Sequence, residues 1–166
     1  MSAISPAHIT EGYVSGCIGR IAQLHADYYA KSNGFGVEFE AKVAGELSAF
    51  CLNYQAARDG LWLAHDAHGI QGSIAIDGTQ GHRDGAYLRW FVVSDALRGQ
   101  GMGRQLLARA LSFAEACAYP RTYLWTFSGL DAARHLYESL GFRLEQESEG
   151  STWGVVVNEQ RFVRSL

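Results

Sequence analysis

Arg98-Gly99-Gln100-Gly101-Met102-Gly103-Arg104 is the stretch of this chain whose residue types and spacing most plainly carry chemistry. Three glycines at alternate positions let the backbone approach a ligand closely. A helix-patterned segment follows, from Gln105 to Cys117, so free N–H groups and a positive dipole end face whatever sits at the loop. Arg98 and Arg104 add donors suited to phosphate oxygens. The combination is an anion cradle at a helix N-terminus, and the anion it suits best is a pyrophosphate. Two glycine-loop patterns fail on spacing. A dinucleotide loop needs Gly-x-Gly-x-x-Gly, but the glycines here fall at 99, 101 and 103. A Walker loop ends in Gly-Lys-Ser/Thr, whereas Gly103-Arg104-Gln105 lacks both the lysine and the hydroxyl.

The elements that must position this loop are legible as patterns. The strand-like run Tyr87 to Val93 precedes it, and Leu106, Leu107, Ala110, Leu111 and Ala114 form the buried stripe of the helix behind it. Upstream, Ile18, Ile21, Leu24, His25, Tyr28 and Tyr29 mark an amphipathic helix over 16–30, and Phe39, Val43, Leu47, Phe50 and Cys51 mark a second. Leu61 to His65 and Ile70 to Ile76 read as a hairpin around Asp66-Ala67-His68-Gly69. A short first strand is expected near Ile9. Downstream, Thr122 to Phe127 has strand character. Ala133, Leu136, Tyr137 and Leu140 follow at helical spacing, with Gly141 placed for a left-handed cap. Phe142 to Glu147 and Thr152 to Val157 are expected to be closing strands around a turn at Ser148-Glu149-Gly150. The layout is α/β with a central βαβ unit, which places ligand at the carboxyl ends of its strands.

Arg98, Gly101 and Gly103 satisfy a third pattern, Gln/Arg-x-x-Gly-x-Gly/Ala, between a strand and a helix. This resembles the coenzyme A pyrophosphate loop of the GCN5-related N-acetyltransferase (GNAT) superfamily. Ala133-Arg134-His135-Leu136-Tyr137-Glu138-Ser139-Leu140-Gly141-Phe142 is similar to a helix of the same family. Gly19-Arg20-Ile21 and His25-Ala26-Asp27-Tyr28-Tyr29 look like the acetyltransferase halves of bacterial proteins fused to MarR-type regulators, although no winged-helix half is present. The resemblance implies a GNAT-like fold over nearly the whole chain: a mixed, mostly antiparallel sheet with flanking helices, in a single domain spanning 1–166. It implies acetyl-CoA as co-substrate and a primary amine as acceptor. Residues 98 to 104 (Gln100 and Met102 included) would hold the pyrophosphate through their N–H groups. Phe91, Val92 and Val93 would pair with the pantetheine arm, the Val93 N–H donating to the thioester carbonyl. Tyr137 would lie near the sulfur and protonate the thiolate. The family's usual asparagine, three residues before Ala133, is Leu130 here. Its interaction with the cofactor is therefore either missing or made instead by Ser128, Asp131 or Arg134. Members of the family often pair, so a homodimer is open.

The group that deprotonates the amine is not fixed by the pattern. Tyr87 stands where some family members carry a glutamate, and a neutral tyrosine is a poor base. Glu38, Glu40, Glu46, His25, His65, His68 and His82 are the other candidates, beside a water relay. Trp62, Trp90, Trp125 and Trp153 fit core packing, yet with Tyr28, Tyr29 and Phe35 some would suit an aromatic acceptor pocket that holds a cation on its ring faces. No Cys or Ser stands in a nucleophile setting, which favours direct transfer in a ternary complex.

Composition narrows the classes further. Hydrophobic residues make up 48% and charged residues 19% of 166, a globular composition with room for a substantial core. A net charge of −3 offers no basic footprint for nucleic acid. No apolar run reaches the roughly 18 residues that span a membrane, and Met1 to Pro6 lack the regions of a signal peptide. Cys17, Cys51 and Cys117 are scattered and odd in number, as reduced cysteines of a cytoplasmic protein are. His65-x-x-His68 has no further ligands, so no metal site is expected. The competing functions are a non-catalytic acyl-CoA sensor, an interaction subunit and a nucleotide-binding protein.

Overall fold

The computed structural model describes residues 6–166; the reading of Met1 to Ser5 as leader-free lies outside it. The chain runs β1 (His8–Glu11), α1 (Cys17–Asn33), α2 (Val37–Leu52), β2 (Gly60–Asp66), β3 (Gly69–Asp77), β4 (Ala86–Val93), α3 (Met102–Ala116), β5 (Arg121–Phe127), α4 (Asp131–Ser139), β6 (Arg143–Gly150) and β7 (Val157–Ser165). Among the described residues one seven-stranded sheet has the order β1-β2-β3-β4-β5-β7-β6, and only the β4–β5 neighbours are parallel. This is the mixed, mostly antiparallel architecture expected from the sequence.

The central strands read as unbroken apolar runs because both of their faces are covered. Trp62, Ile74, Ile76 and Leu88 pack against Leu106, Leu107 and Ala110 of α3. The alternate residues Leu61, Leu63 and Ala75 face Ile21, Phe39, Val43 and Leu47 of α1 and α2. The period-2 switch of faces along each strand thus sets which helix layer each residue meets.

Between β4 and β5 the pairing is brief. Ala86↔Thr122 and Tyr87↔Tyr123 are in register, after which the two strands part. A bulge in β4 accompanies the parting: Ser73 pairs with Val92 and Ala75 with Arg89, so two steps of β3 oppose three of β4. Trp90, in the bulge, has φ 48°, a conformation unusual for a bulky residue. The fully buried Ser73 hydroxyl donates to the Trp90 carbonyl at 2.6 Å, giving the displaced backbone group a partner.

Two boundaries differ from the sequence reading. Helix α3 begins at Met102, three residues earlier than the apolar stripe suggested, because Gly101 adopts the left-handed conformation (φ 78°) and ends the turn there. The second closing strand is not 152–157 but β7, starting at Val157, and Ser148 to Gly150 belong to β6 rather than to a turn. The actual reversal lies at Ser151 to Gly154, closed by the Gly154 N–H to the Ser151 carbonyl at 3.0 Å with Gly154 at φ 89°. Val155 and Val157 alternate like strand residues, which masked a loop.

Ser73→Ala strips the buried Trp90 carbonyl of its donor. It is expected to lower stability by about 1–3 kcal/mol, read from the urea midpoint of unfolding.

Candidate active site

The parting of β4 from β5 opens a gap in the sheet, and the bulge determines which backbone groups face it. The Ser94 N–H donates to the Gln71 carbonyl at 2.7 Å, toward β3. By the alternation of an antiparallel ladder, the N–H and carbonyl of the preceding residue, Val93, point to the opposite side, into the gap. The Val93 carbonyl there accepts from Arg98 Nη2 at 3.0 Å. The Val93 N–H points the same way, and Val93 lines, with Val92, Ser94 and Arg98, a cavity between α1 and the end of β4.

The Arg98–Arg104 loop stands at the carboxyl end of β4. Gly99 and Gly101 have φ 77° and 78°, and the N-terminus of α3 has no side-chain cap. The first intrahelical bond runs from the Gln105 N–H to the Gly101 carbonyl, so the N–H groups before it are unfilled by the helix. Gly103 allows close approach in a different way. A Cβ there would meet the Phe91 ring at 3.4 Å, ordinary contact distance, so alanine also fits. Met102 is buried in the core and fixes the helix to the sheet, while Gln100 is exposed and bonds the Ala96 carbonyl at 3.1 Å. The arginine side chains are engaged within the protein. Arg98 also pairs with Asp95 at 2.9 Å and lies over the Tyr28 ring at 4.8 Å, and Arg104 bonds Ser139 at 3.2 Å. Among these residues the anion-facing donors of the loop are its main-chain N–H groups.

A cavity of about 500 Å³ occupies the gap. Its walls are Tyr87 to Phe91 of β4, Leu124 to Phe127 of β5, parts of α1 and α2, Tyr137 of α4, and Thr152, Trp153 and Glu159. Tyr137 is set by the end of its helix. The Phe142 N–H bonds the Tyr137 carbonyl and the Gly141 N–H bonds that of Glu138, both at 3.1 Å, with Gly141 at φ 94°. This is a Schellman cap, and its accompanying apolar contact is the Tyr137–Phe142 ring pair at 5.8 Å. Phe91 and Phe162 hold the other sides of the ring. The hydroxyl has no protein partner among the described residues. Burial pushes its phenol far above the ordinary tyrosine range, so the hydroxyl stays protonated at every physiological pH.

The cavity sorts the proposed bases. His25 lines it; His65 sits at the β1–β2 edge against His8 and Thr10, His68 in the hairpin turn, and His82 against Tyr119. The His25 Nδ1 donates to the Ile21 carbonyl at 2.8 Å, which leaves the Nε2 lone pair free. Burial lowers its pKa to about 4, so the ring is neutral at physiological pH and a weak holder of a proton. Glu46 also lines the cavity, but Lys42 at 2.6 Å and Arg89 both neutralise it. Glu38 and Glu40 are exposed on α2 and do not reach the cavity. Tyr87 stacks on Tyr123 at 4.7 Å, and burial raises its phenol, which rules it out as a base.

The aromatic set divides likewise. Trp90, Trp125, Trp153 and Tyr29 line the cavity. Phe35 is buried behind Tyr29 and Phe127, and Trp62 packs on Phe113 beneath the other face. Tyr28 lines a separate cavity of about 340 Å³ between α1 and the end of β4. Leu130 packs into the α1–α2 core cluster rather than toward the loop, and Arg134 pairs with Glu138 at 2.6 Å. The sequence reading missed Glu159 and Thr152, because both lay in a misplaced strand boundary or beyond it.

Two expected outcomes follow from this geometry. Gly101→Ala forces a Cβ into a left-handed turn and costs about 1–2 kcal/mol, whereas Gly103→Ala leaves the thermal midpoint nearly unchanged; differential scanning calorimetry distinguishes them. Since His25 binds its proton less readily folded than unfolded, its contribution is fully present above pH 6.5. That contribution is lost as pH falls toward 4, to a total of about 3 kcal/mol. Denaturant titrations across pH 4–7 should show the loss, and His25→Gln should flatten it.

Comparison with known proteins supplies the family. The model of the acetyltransferase (GNAT) domain matches residues 57–144, from the start of β2 past the end of α4. No curated protein sequence matches the chain. Among solved structures, an acetyltransferase from Streptococcus agalactiae aligns over 98% of this chain and 99% of its own with TM-score 0.75 at 20% identity. The yncA protein of Salmonella typhimurium, solved with its cofactor acetyl-CoA, aligns over 98% and 95% with TM-score 0.71 at 16% identity. A spermidine N-acetyltransferase variant from Vibrio cholerae aligns over 95% and 94% with TM-score 0.68 at 19% identity. At these identities the structural likeness is one of fold. With more than half of its length matched by the family's model and its sheet matching the fold of solved members, the chain belongs to the GNAT acetyltransferase domain family.

Proposed function

We propose that the protein transfers an acetyl group from acetyl-CoA to a primary amine, by direct attack in a ternary complex. One observation carries the reading: Tyr137, whose hydroxyl has no partner among the described residues, lines a cavity where β4 and β5 part, and the last residues of β4, Val92 and Val93, continue from that cavity into a second one bordered by Arg98 of the loop before the uncapped α3. The residues fit the co-substrate. The loop N–H groups of Gly99 to Arg104 would take the pyrophosphate, and Arg98 serves mainly to brace the loop against Val93 and Asp95. The free edge of β4 from Phe91 to Val93 would pair with the amide-bearing arm. When bound, the co-substrate supplies an acetyl thioester.

In the reaction the amine nitrogen forms a bond to the acetyl carbon, the carbon–sulfur bond breaks, and the sulfur leaves as thiolate. The Val93 N–H would stabilise the charge that develops on the carbonyl oxygen. Tyr137, protonated at rest, would give its proton to the thiolate as one from solvent replaces it. The acceptor enters as an ammonium and must lose one proton to solvent before it attacks and a second as the amide forms, the second balancing the proton taken up by the thiolate. Neutral His25 would accept a hydrogen bond from the amine or from a relaying water rather than keep the proton. We read the 166 residues as one domain working in the cytoplasm, which three free cysteines suit. The likeness of α1 to acetyltransferase halves of MarR fusion proteins extends the same reading.

The test is thiol release from acetyl-CoA with a panel of amines. Turnover is expected, and Tyr137→Phe should lower kcat by about 10²-fold while acetyl-CoA affinity stays unchanged. Acetyl-CoA binding without turnover on any amine would favour an acyl-CoA sensor instead.

A further inference from the structure

The acceptor side of the cavity has an uneven charge balance. Its two cations, Lys42 and Arg89, are both spent: each pairs with Glu46, and Arg89 also approaches Asp77 at 3.9 Å. Glu159 is different. No cationic side chain pairs with it among the described residues, yet it is half-buried and held in place. Its Oε1 accepts the Thr152 N–H at 2.9 Å, and its carboxylate lies over Gly150, where a Cβ would come within 2.7 Å of it. A fixed carboxylate without a counter-cation, in the wall of a cavity, is a receptor for one.

Its position and surroundings say which cation. Glu159 pairs in register with Phe127, so the two side chains share a face of the sheet. Glu159 and Phe127 line the same cavity as Phe91 and Tyr137, so the carboxylate shares its space with the proposed sulfur site. Beside it, Trp153 and Tyr29 contact Phe127 at 5.6 and 5.7 Å, and Trp125 lies two residues back on the same face. Ring walls bury an apolar body and attract a cation on their faces. Among the described residues no free cation in the cavity remains to take a carboxylate on the acceptor.

Building on the acetyltransferase reading, we propose that the acceptor is an arylalkylamine-type molecule: a primary amine on a short chain from an aromatic ring, with no carboxylate beside the amine. Glu159 docks its ammonium, and the rings of Trp125, Trp153, Phe127 and Tyr29 hold its body. The cavity volume suits a small molecule of this kind.

The experiment compares 2-phenylethylamine, phenylalanine (the same body with a carboxylate), spermidine and a peptide N-terminus in the thiol-release assay. Acetyl-CoA binding is followed separately by thermal shift. The expected result is a KM for 2-phenylethylamine at least tenfold below that of phenylalanine, and turnover on it above that on spermidine or the peptide. Glu159→Gln, which keeps the acceptor for Thr152, should raise the amine KM at least tenfold with the acetyl-CoA KM and thermal midpoint unchanged. Glu159→Asp should recover part of the loss. Trp125→Leu, on another element, should raise the amine KM independently. Preference for phenylalanine, spermidine or the peptide, or an unchanged amine KM in Glu159→Gln, overturns the acceptor assignment while leaving an acetyltransferase. Absence of thiol release with every amine overturns both readings.

Discussion

Everything at this site depends on two parallel strands that stop pairing. A parallel strand pair continues unless its backbone is diverted, because unpaired N–H and carbonyl groups are costly inside a sheet. Here β4 and β5 share only Ala86↔Thr122 and Tyr87↔Tyr123 before they separate. The bulge at Trp90 diverts the first strand, and the Ser73 hydroxyl satisfies the carbonyl that the bulge displaces. Farther along, Arg98 occupies the Val93 carbonyl. The protein thus supplies its own partners for two of the groups the separation strands. It leaves donors of β4 and of the uncapped α3 turn without intrahelical or ladder partners, beside a cavity walled by helices and rings.

The two sides of that cleft are built from different materials. On the α3–α4 side, the groups available to a ligand are main-chain N–H groups and one tyrosine hydroxyl, and the loop's arginines are tied to neighbouring protein atoms. On the α1–α2 side the surfaces are side chains: rings, a neutral imidazole, a balanced cluster around Glu46, and the unbalanced Glu159. Burial drives the difference in proton behaviour. It keeps Tyr137 protonated and His25 unprotonated, so the cleft holds a donor and an acceptor that are both neutral over the physiological range.

The fold, and the local shape of the loop and helix cap that the proposed reading gives to the donor, were legible because they are local. Alternate glycines between a strand and a helical stripe specify a turn, and the Tyr137–Phe142 segment carries its cap in Gly141. The helix order and the sheet hairpin followed from periodicity alone. The opposite wall was legible only as an unsorted set of candidates, Glu46, Trp125 and Trp153 among them, since the sheet's register brings them together with the unforeseen Glu159 from separate elements. The loop 151–156 was hidden by its valines, and displacing the strand boundary concealed Glu159 with it. Tyr28 was grouped with Tyr29 by proximity in sequence, but successive positions on a helix face different ways, and Tyr28 lines the second cavity while Tyr29, backed by Phe35, lines the first.

The Ser151–Gly154 reversal has a consequence of its own for how such a protein changes over time. It joins two antiparallel strands at the sheet's far side, away from Ser73, the bulge and the α3 turn. Residues there contribute Thr152 and Trp153 to one wall of the cleft, while the remainder of the loop is solvent-facing or half-exposed. Replacement or lengthening of this segment redraws that wall without disturbing the hydrogen bonds that keep the strands apart. Under the reading proposed here, the molecule's choice of acceptor is heritable separately from its hold on the donor, and a few codons suffice to move it.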